Sequence, residues 1–377
     1  MAKWQNQGQS PYQLKNISEA RDTKTLQYIL GEKQSIADVG DAGTTMRFLI
    51  AFYAATKQKV LLTGSERMQE RPIGILVEAL KDIGAKIKYV GKEGFPPVEI
   101  QGFEQKKQQI YIQSNVSSQY ISALLMIAPL LEKGLEITLK EEVYSKPYIL
   151  MTLSLMQYFG VQSQWEGNKI KISPQNYQLK EYTIEADWSA ASYWYSLVAI
   201  AEHAQIKMLD LKENSLQGDS IIAKIMENFG VKTTFLTEGV LIEKTKNFEN
   251  KSLIYNFKDC PDLAQTLVAL CVAKNMDFEG EGLESLAIKE TNRLEALQKE
   301  VAKFGFEFVG EGKKWILRKN KYFISPTNII SVETYKDHRM AMAFAPLAYL
   351  RDIRIENPKV VEKSYPTFWE EFKKVTE

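Results

Sequence analysis

Four times along this chain an amphipathic helical pattern runs into a glycine and then into alternating residues. The four stretches are "IGAKIKYV", "FGVQSQW", "FGVKTTF" and "FGFEFVG", with glycines at Gly84, Gly160, Gly230 and Gly305. Their spacings of 76, 70 and 75 residues describe a repeated supersecondary unit, the strongest single constraint on the fold. Apolar positions at helical spacing predict amphipathic helices over 73–83, 147–159, 219–229 and 293–304. Each glycine then sits where a helix C-cap needs a left-handed backbone angle. A second helix type interleaves with the first. "DAGTTMRFLIAFYAA", "VSSQYISALLMIAPLL", "DWSAASYWYSLVAIAE", "DCPDLAQTLVALCVA" and "YKDHRMAMAFAPLAYL" open on polar residues and become almost wholly apolar. Helices apolar all round must be buried. With Gly43, Ser118, Ser189, Asp262 and His338 as markers, these recur at 75, 71, 73 and 76 residues. The unit is therefore buried helix, strand, amphipathic helix, strand, strand.

The start of the chain departs from that rhythm. "YQLKNIS" and "RDTKTLQYIL" fit a strand and an amphipathic helix, yet no buried helix stands before them. By the repeat logic a sixth buried helix is expected upstream of Met1, so the first unit is read as incomplete. The 377 residues suit two cores and two domains. A net charge of +1 argues against a nucleic-acid or anionic-membrane binder. Two cysteines and two histidines offer neither a disulfide framework nor metal-ligand spacing. The opening "MAKWQNQGQSPY" lacks the apolar stretch of a secretory signal, and no apolar run reaches membrane-spanning length. A reduced cytoplasmic setting is expected.

Arginine usage points to a ligand. Only nine of the 48 basic residues are arginine, yet Arg47, Arg67, Arg71, Arg293 and Arg339 all fall near expected helix starts. Arginine is the planar fork for carboxylate and phosphate, and helix N-termini already favour anions. One such arginine is ordinarily a surface ion pair; five together favour an anionic ligand. The segment "KETNR" crowds Lys289, Glu290 and Arg293 into the entry turn of the last amphipathic helix. By itself such a triplet is ordinarily a solvated helix start.

The ordered motifs carry more. "DAGTTMRFL", "GSERMQERPIGILVEAL", "VSSQYISALLMIAPL", "SKPYILMTL", "NSLQGD", "CPDLAQT", "KETNR", "YKDHRMAMAF" and "EKSYPTFWEE" span nearly the whole chain. In this order they resemble the 3-phosphoshikimate 1-carboxyvinyltransferase family of enolpyruvyl transferases. The resemblance implies a two-domain, inside-out α/β barrel of repeated βαβαββ units with buried parallel helices. It implies domains 1–184 and 185–377, with a crossover at about Ile184–Glu185 and polar helix starts turned to one cleft. It also implies transfer of the enolpyruvyl group of phosphoenolpyruvate to the 5-hydroxyl of shikimate 3-phosphate, without metal or organic cofactor. No partner beyond these two substrates is implied, and a monomer is expected.

Residue by residue, the resemblance makes Glu290 the proton shuttle and Asp262 the acceptor of the hydroxyl proton, with His338 near the reacting glutamate. Read without it, Asp262 is equally an N-cap. Gly43, Thr44, Arg71, Arg293, Arg339 and Lys363 match the phosphoenolpyruvate contacts. Ser117, Ser118, Gln119, Ser145, Tyr148, Asp262 and Lys289 match those to shikimate 3-phosphate. Two adjacent serines and a glutamine exceed what one cap requires and suit a phosphate nest.

Three departures stand out. The family's N-terminal Lys-Ser…Arg segment has no counterpart, Asn292 replaces an aspartate, and Asp41 and Ser285 stand where many relatives have asparagine. A non-catalytic or impaired anion-binding relative is thus a second reading. UDP-N-acetylglucosamine carboxyvinyltransferase is a lesser one, disfavoured because the SSQ, SKPY and DHRMAM motifs are all present. Cys260 and Cys271 also fall on an expected buried helix rather than in an exposed loop.

Overall fold

Helices without a polar face can persist only inside a core, and five of them anchor this fold. A computed structural model describes residues 1, 14–32, 34–115, 117–245, 252–324 and 327–376. The buried helices are Gly43–Ala55, Ser118–Ile127, Trp188–Ile200, Ala264–Lys274 and His338–Phe344. In Trp188–Ile200 every residue but Ala190 is buried. The chain divides into two units, Met1–Ile184 and Glu185–Glu377, each with its own apolar core. Tyr12 and Gln13, which open the first expected strand, and Val116 of the "VSSQ" stretch lie outside the described residues.

The repeat is visible strand by strand. Ile36–Asp38 lies parallel to Val60–Thr63 with the Gly43 helix between them in sequence. Helix Gly74–Ile83 follows, and then Ala85–Tyr89 and Val98–Phe103 complete a four-stranded sheet. Gln109–Gln113, Leu135–Lys140, Gln164–Glu166 and Lys169–Ile172 repeat that arrangement. In the second unit Ser252–Asn256, Asp277–Glu281, Phe306–Glu311 and Lys314–Lys319 do so again. In all three sheets the fourth strand in sequence pairs between the second and third. Parallel neighbours need a crossover, and here it is always the buried helix.

Two expectations change. The amphipathic segment 219–229 is not one α-helix; it is assembled from Gly218–Ile221, Ile222–Ile225 and Met226–Phe229, of which only the middle piece is α-helical. Three β-branched isoleucines and Asn228 lower its helix propensity, and Asp219 is committed to a buried bond with Ser189. Cys260 precedes the buried helix instead of lying on it; both cysteines are buried and free. Among the described residues no helix is long and apolar enough to cross a membrane.

The glycine caps form as expected. Gly84 has φ 118° and a Cβ placed there would lie 1.8 Å from the Glu104 carbonyl oxygen. Gly84→Ala is therefore expected to lose more than the ~1–2 kcal/mol of a left-handed alanine, because backbone must also move. Urea unfolding measures this, and a loss under ~0.5 kcal/mol, the scale of an ordinary surface change, would overturn it.

Candidate active site

The second unit gathers an ion cluster around one buried guanidinium. Helix Arg293–Ala302 starts at Arg293, with Asn292 as N-cap accepting from the Glu295 amide at 3.4 Å. Asn292 therefore serves where an aspartate cap would. Lys289 and Glu290 lie in the turn just before the helix, after the 3₁₀ segment Glu284–Ile288. Arg293 donates from Nε to Asp337 at 2.7 Å, from Nη1 to Asp262 at 2.8 Å and from Nη2 to Glu290 at 2.9 Å. One planar fork thus fixes three carboxylates on three separate nitrogens, a spread that the single nitrogen of a lysine does not offer.

Asp262 is the meeting point of the cations. It stands in the short 3₁₀ turn Pro261–Leu263 and caps no helix, so the N-cap reading of the sequence does not hold. Its carboxylate takes Arg339 Nη2 at 3.2 Å and Lys289 Nζ at 3.5 Å besides Arg293. Burial alone would raise its pKa, but Arg339, Lys289 and Arg293 outweigh burial and hold it well below the carboxylate range. Lys363 Nζ stands 3.9 Å from Glu290.

Four residues of this cluster, Asp337, Ser189, Tyr193 and Asp219, are not among the site residues expected from the sequence. Asp337 is fully buried, and besides Arg293 it accepts the Arg339 amide at 2.9 Å, capping helix His338–Phe344. Arg339 also donates to Ser189 Oγ at 3.3 Å and Tyr193 Oη at 3.4 Å. Ser189 in turn donates to the buried Asp219. Burial, with the Asp262 charge second, pushes the Asp219 carboxyl up to about 6. For Asp337 and Ser189 the signal is a polar residue at the start of an otherwise largely apolar helix; Tyr193, inside its helix, and Asp219, in the amphipathic 219–229 segment, carry no such signal.

Asp337 reaches its place through a costly turn. Tyr335 and Lys336 have φ 53° and 58°, and the Asp337 amide donates to the Thr334 carbonyl at 2.8 Å. Positive φ at both central residues is the demand of a type I′ turn, which glycine, asparagine and aspartate meet most easily. For other residues each left-handed position costs about 1–2 kcal/mol.

In the first unit, helices Gly43–Ala55 and Ser118–Ile127 start together. Gln119 Nε2 donates to Thr44 Oγ1 at 3.0 Å, and Ser117 caps the second helix by accepting the Gln119 amide at 3.3 Å. A methyl group on Gly43 would lie 2.6 Å from an Arg71 guanidinium nitrogen, so glycine lets that side chain lie against the helix start. Ser118 and Arg71 are buried. Ser145 and Tyr148 open the neighbouring helix Lys146–Tyr158, joined to the Ser118 helix by Ser122 and Thr152 at 2.8 Å. Two of the five noted arginines have structural duties. Arg47 ties the Gly43 and Pro72 carbonyls at 3.0 Å each, and Arg67 pairs with Glu70 at 2.9 Å near the surface. The inference from five arginines narrows to Arg71, Arg293 and Arg339.

Comparison with known proteins decides the family. The sequence profile described as EPSP synthase (3-phosphoshikimate 1-carboxyvinyltransferase) matches residues 6–372. This chain belongs to the EPSP synthase family. It is similar to the 3-phosphoshikimate 1-carboxyvinyltransferase of Bacteroides fragilis, 44% identical over 361 residues that cover 95% of this chain and 88% of the relative. The enzyme of that name from Haemophilus influenzae is 36% identical over 349 residues, covering 89% and 78%. Among solved structures, EPSP synthase from Acinetobacter baumannii superposes with TM-score 0.70 at 23% identity, covering 91% of this chain and 79% of that one. That likeness carries the two-domain α/β fold of EPSP synthases.

The His338 imidazole is buried and its pKa is lowered from 6.5 to about 3, by burial first, with Asp337 opposing and Arg339 assisting. Below pH 6.5 the unfolded chain takes up a proton that the native chain refuses until about pH 3. Stability is thus expected to fall on acidification across that window by up to about 1.4 kcal/mol per pH unit from this group. In urea titrations His338→Gln should flatten the slope relative to the parent; identical slopes would exclude a neutral buried imidazole.

Proposed function

We propose that Glu290, Asp262 and their cations carry out the enolpyruvyl transfer of the EPSP synthase family in this chain. Phosphoenolpyruvate gives its carboxyvinyl group to the 5-hydroxyl of shikimate 3-phosphate and phosphate leaves, a step toward aromatic amino acids. The observation that carries this reading is Arg293 holding Glu290 and Asp262 on adjacent nitrogens of one guanidinium. Addition needs a proton delivered to the methylene carbon and another removed from the attacking hydroxyl, and two carboxylates fixed to one rigid fork suit that pairing. Glu290 delivers the first proton, and Asp262 receives the second.

The cations serve both charge and basicity. Arg293, Arg339 and Lys363 bind the carboxylate and phosphate of phosphoenolpyruvate, and Gly43, Thr44 and Arg71 match the family's contacts to that substrate. Ser117, Ser118, Gln119, Ser145, Tyr148, Asp262 and Lys289 hold shikimate 3-phosphate. A carboxylate as strongly held as Asp262 is a poor base. Anionic substrate competing for Arg339 and Lys289 weakens that hold and raises its basicity when the hydroxyl arrives. His338, neutral beside Asp337, shapes the wall near Glu290 and adds no charge. The chain works as a monomer in the cytoplasm on these two small molecules.

A phosphate-release assay tests the reading: release should require both substrates together, and its absence at high enzyme would sink it in favour of an anion-binding relative. Glu290→Gln keeps an acceptor for Arg293 but has no proton to give, so kcat should drop about 10²–10⁴-fold. Solvent deuterium should also stop entering the phosphoenolpyruvate methylene. An unchanged kcat would remove Glu290 from the proton path.

A further inference from the structure

Helix Arg293–Ala302 touches the Thr334–Asp337 turn at two points. Arg293, at the N-terminus, bonds Asp337. Seven residues on, Glu300 is completely buried and receives three donors. Tyr335 Oη donates to its Oε1 at 2.6 Å; Lys303 Nζ and the Glu333 amide donate to its Oε2 at 2.7 and 3.1 Å. Lys303 also reaches the Ser331 carbonyl at 2.9 Å. The Glu333 carboxylate, next in line, accepts the Thr334 and Tyr335 amides at 3.1 and 3.2 Å. These bonds hold the two residues on either side of Thr334, just where the backbone enters its left-handed conformation. Neither Tyr335 nor Lys336 prefers that conformation, so the turn keeps its shape because its surroundings hold it there.

We propose that Glu300 is a positioning residue for the active site, clamping the left-handed Tyr335–Lys336 turn so that Asp337 meets Arg293 and starts the His338–Arg339 helix. The proposal rests on the function given above, since its kinetic consequence presumes that Arg293 and Arg339 bind substrate. The two Glu300 oxygens take all three donors and its charge answers Lys303; an amide loses that charge and can keep Tyr335 only by donating to its hydroxyl, which reverses the bond. Loss of the clamp releases the turn, and misplacement of about 1 Å at a reacting centre is enough for a large loss.

The test uses the full chain as Glu300→Gln, Tyr335→Phe, Lys336→Gly and the double variant Glu300→Gln/Lys336→Gly, each shown folded by circular dichroism at the assay temperature. Glu300→Gln should raise KM for phosphoenolpyruvate and lower kcat/KM by about tenfold to a hundredfold, and Tyr335→Phe should shift both the same way by less. Lys336→Gly alone should leave kinetics unchanged, since glycine accepts positive φ without help. The double variant should recover most of the loss. A Glu300→Gln enzyme that melts lower with parental KM and kcat would reduce Glu300 to a stability role and overturn the proposal, as would failure of Lys336→Gly to rescue. The Arg293 Nε–H resonance, protected by its bond to Asp337, gives a readout without turnover. It should broaden or exchange in Glu300→Gln and return in the double variant. If the parent chain shows no turnover, the functional reading fails while this signal still decides the positioning role; an undisturbed signal overturns it.

Discussion

A single guanidinium, that of Arg293, sits where three carboxylates would otherwise repel one another. Asp337, Asp262 and Glu290 each take a different part of it. Arginine alone has enough donors in one plane for this arrangement, and desolvating it is tolerable because each of its three nitrogens finds a charged partner. Around it Lys289, Arg339 and Lys363 face Asp262, Asp219 and Glu290, so opposite charges are matched within the cluster. On the proposed function, substrate anions exchange for these internal partners, which couples binding to the protonation of the carboxylates left behind.

The scaffold explains why such a cluster can be held rigidly. Most of its members come from the starts of four helices, those at Trp188, Ala264, Arg293 and His338, and the turns before them. The bodies of the three buried helices are largely apolar and packed, with their charged cluster members at or just before the leading residues. Small residues such as Ala264, Ala269, Ala341 and Ala343 are fully buried, and this brings neighbouring helix starts close enough for side chains to meet. The first unit uses the same device at Gly43 and Ser118, where glycine and a glutamine–threonine bond take the place of the ion cluster.

Much of the architecture was legible in the residues. Gly84 and Gly230 cap helices in left-handed geometry, and the three complete units share one strand order. The segment 219–229 was not, because a period alone cannot tell an α-helix from shorter helical turns when Asp219 is drawn to a partner thirty residues away. Nor could arginine placement separate Arg47, which ties backbone carbonyls, from Arg71, which lies against the Gly43 helix start. Both stand near a helix start in the sequence.

The sequence by itself determined the repeat, the burial of the alternate helices, the glycine caps and the motifs that place this chain in its family. These are local or periodic properties, encoded within a turn or two of chain. Only the tertiary structure decided that Asp262 faces cations instead of capping its helix, that Asp337 is the second anchor of Arg293, and that Glu300 reaches the Tyr335 turn. Those contacts join residues 31, 44 and 35 apart. A charged residue reads alike in sequence whether it meets water or a buried partner, and only the packed core removes the water.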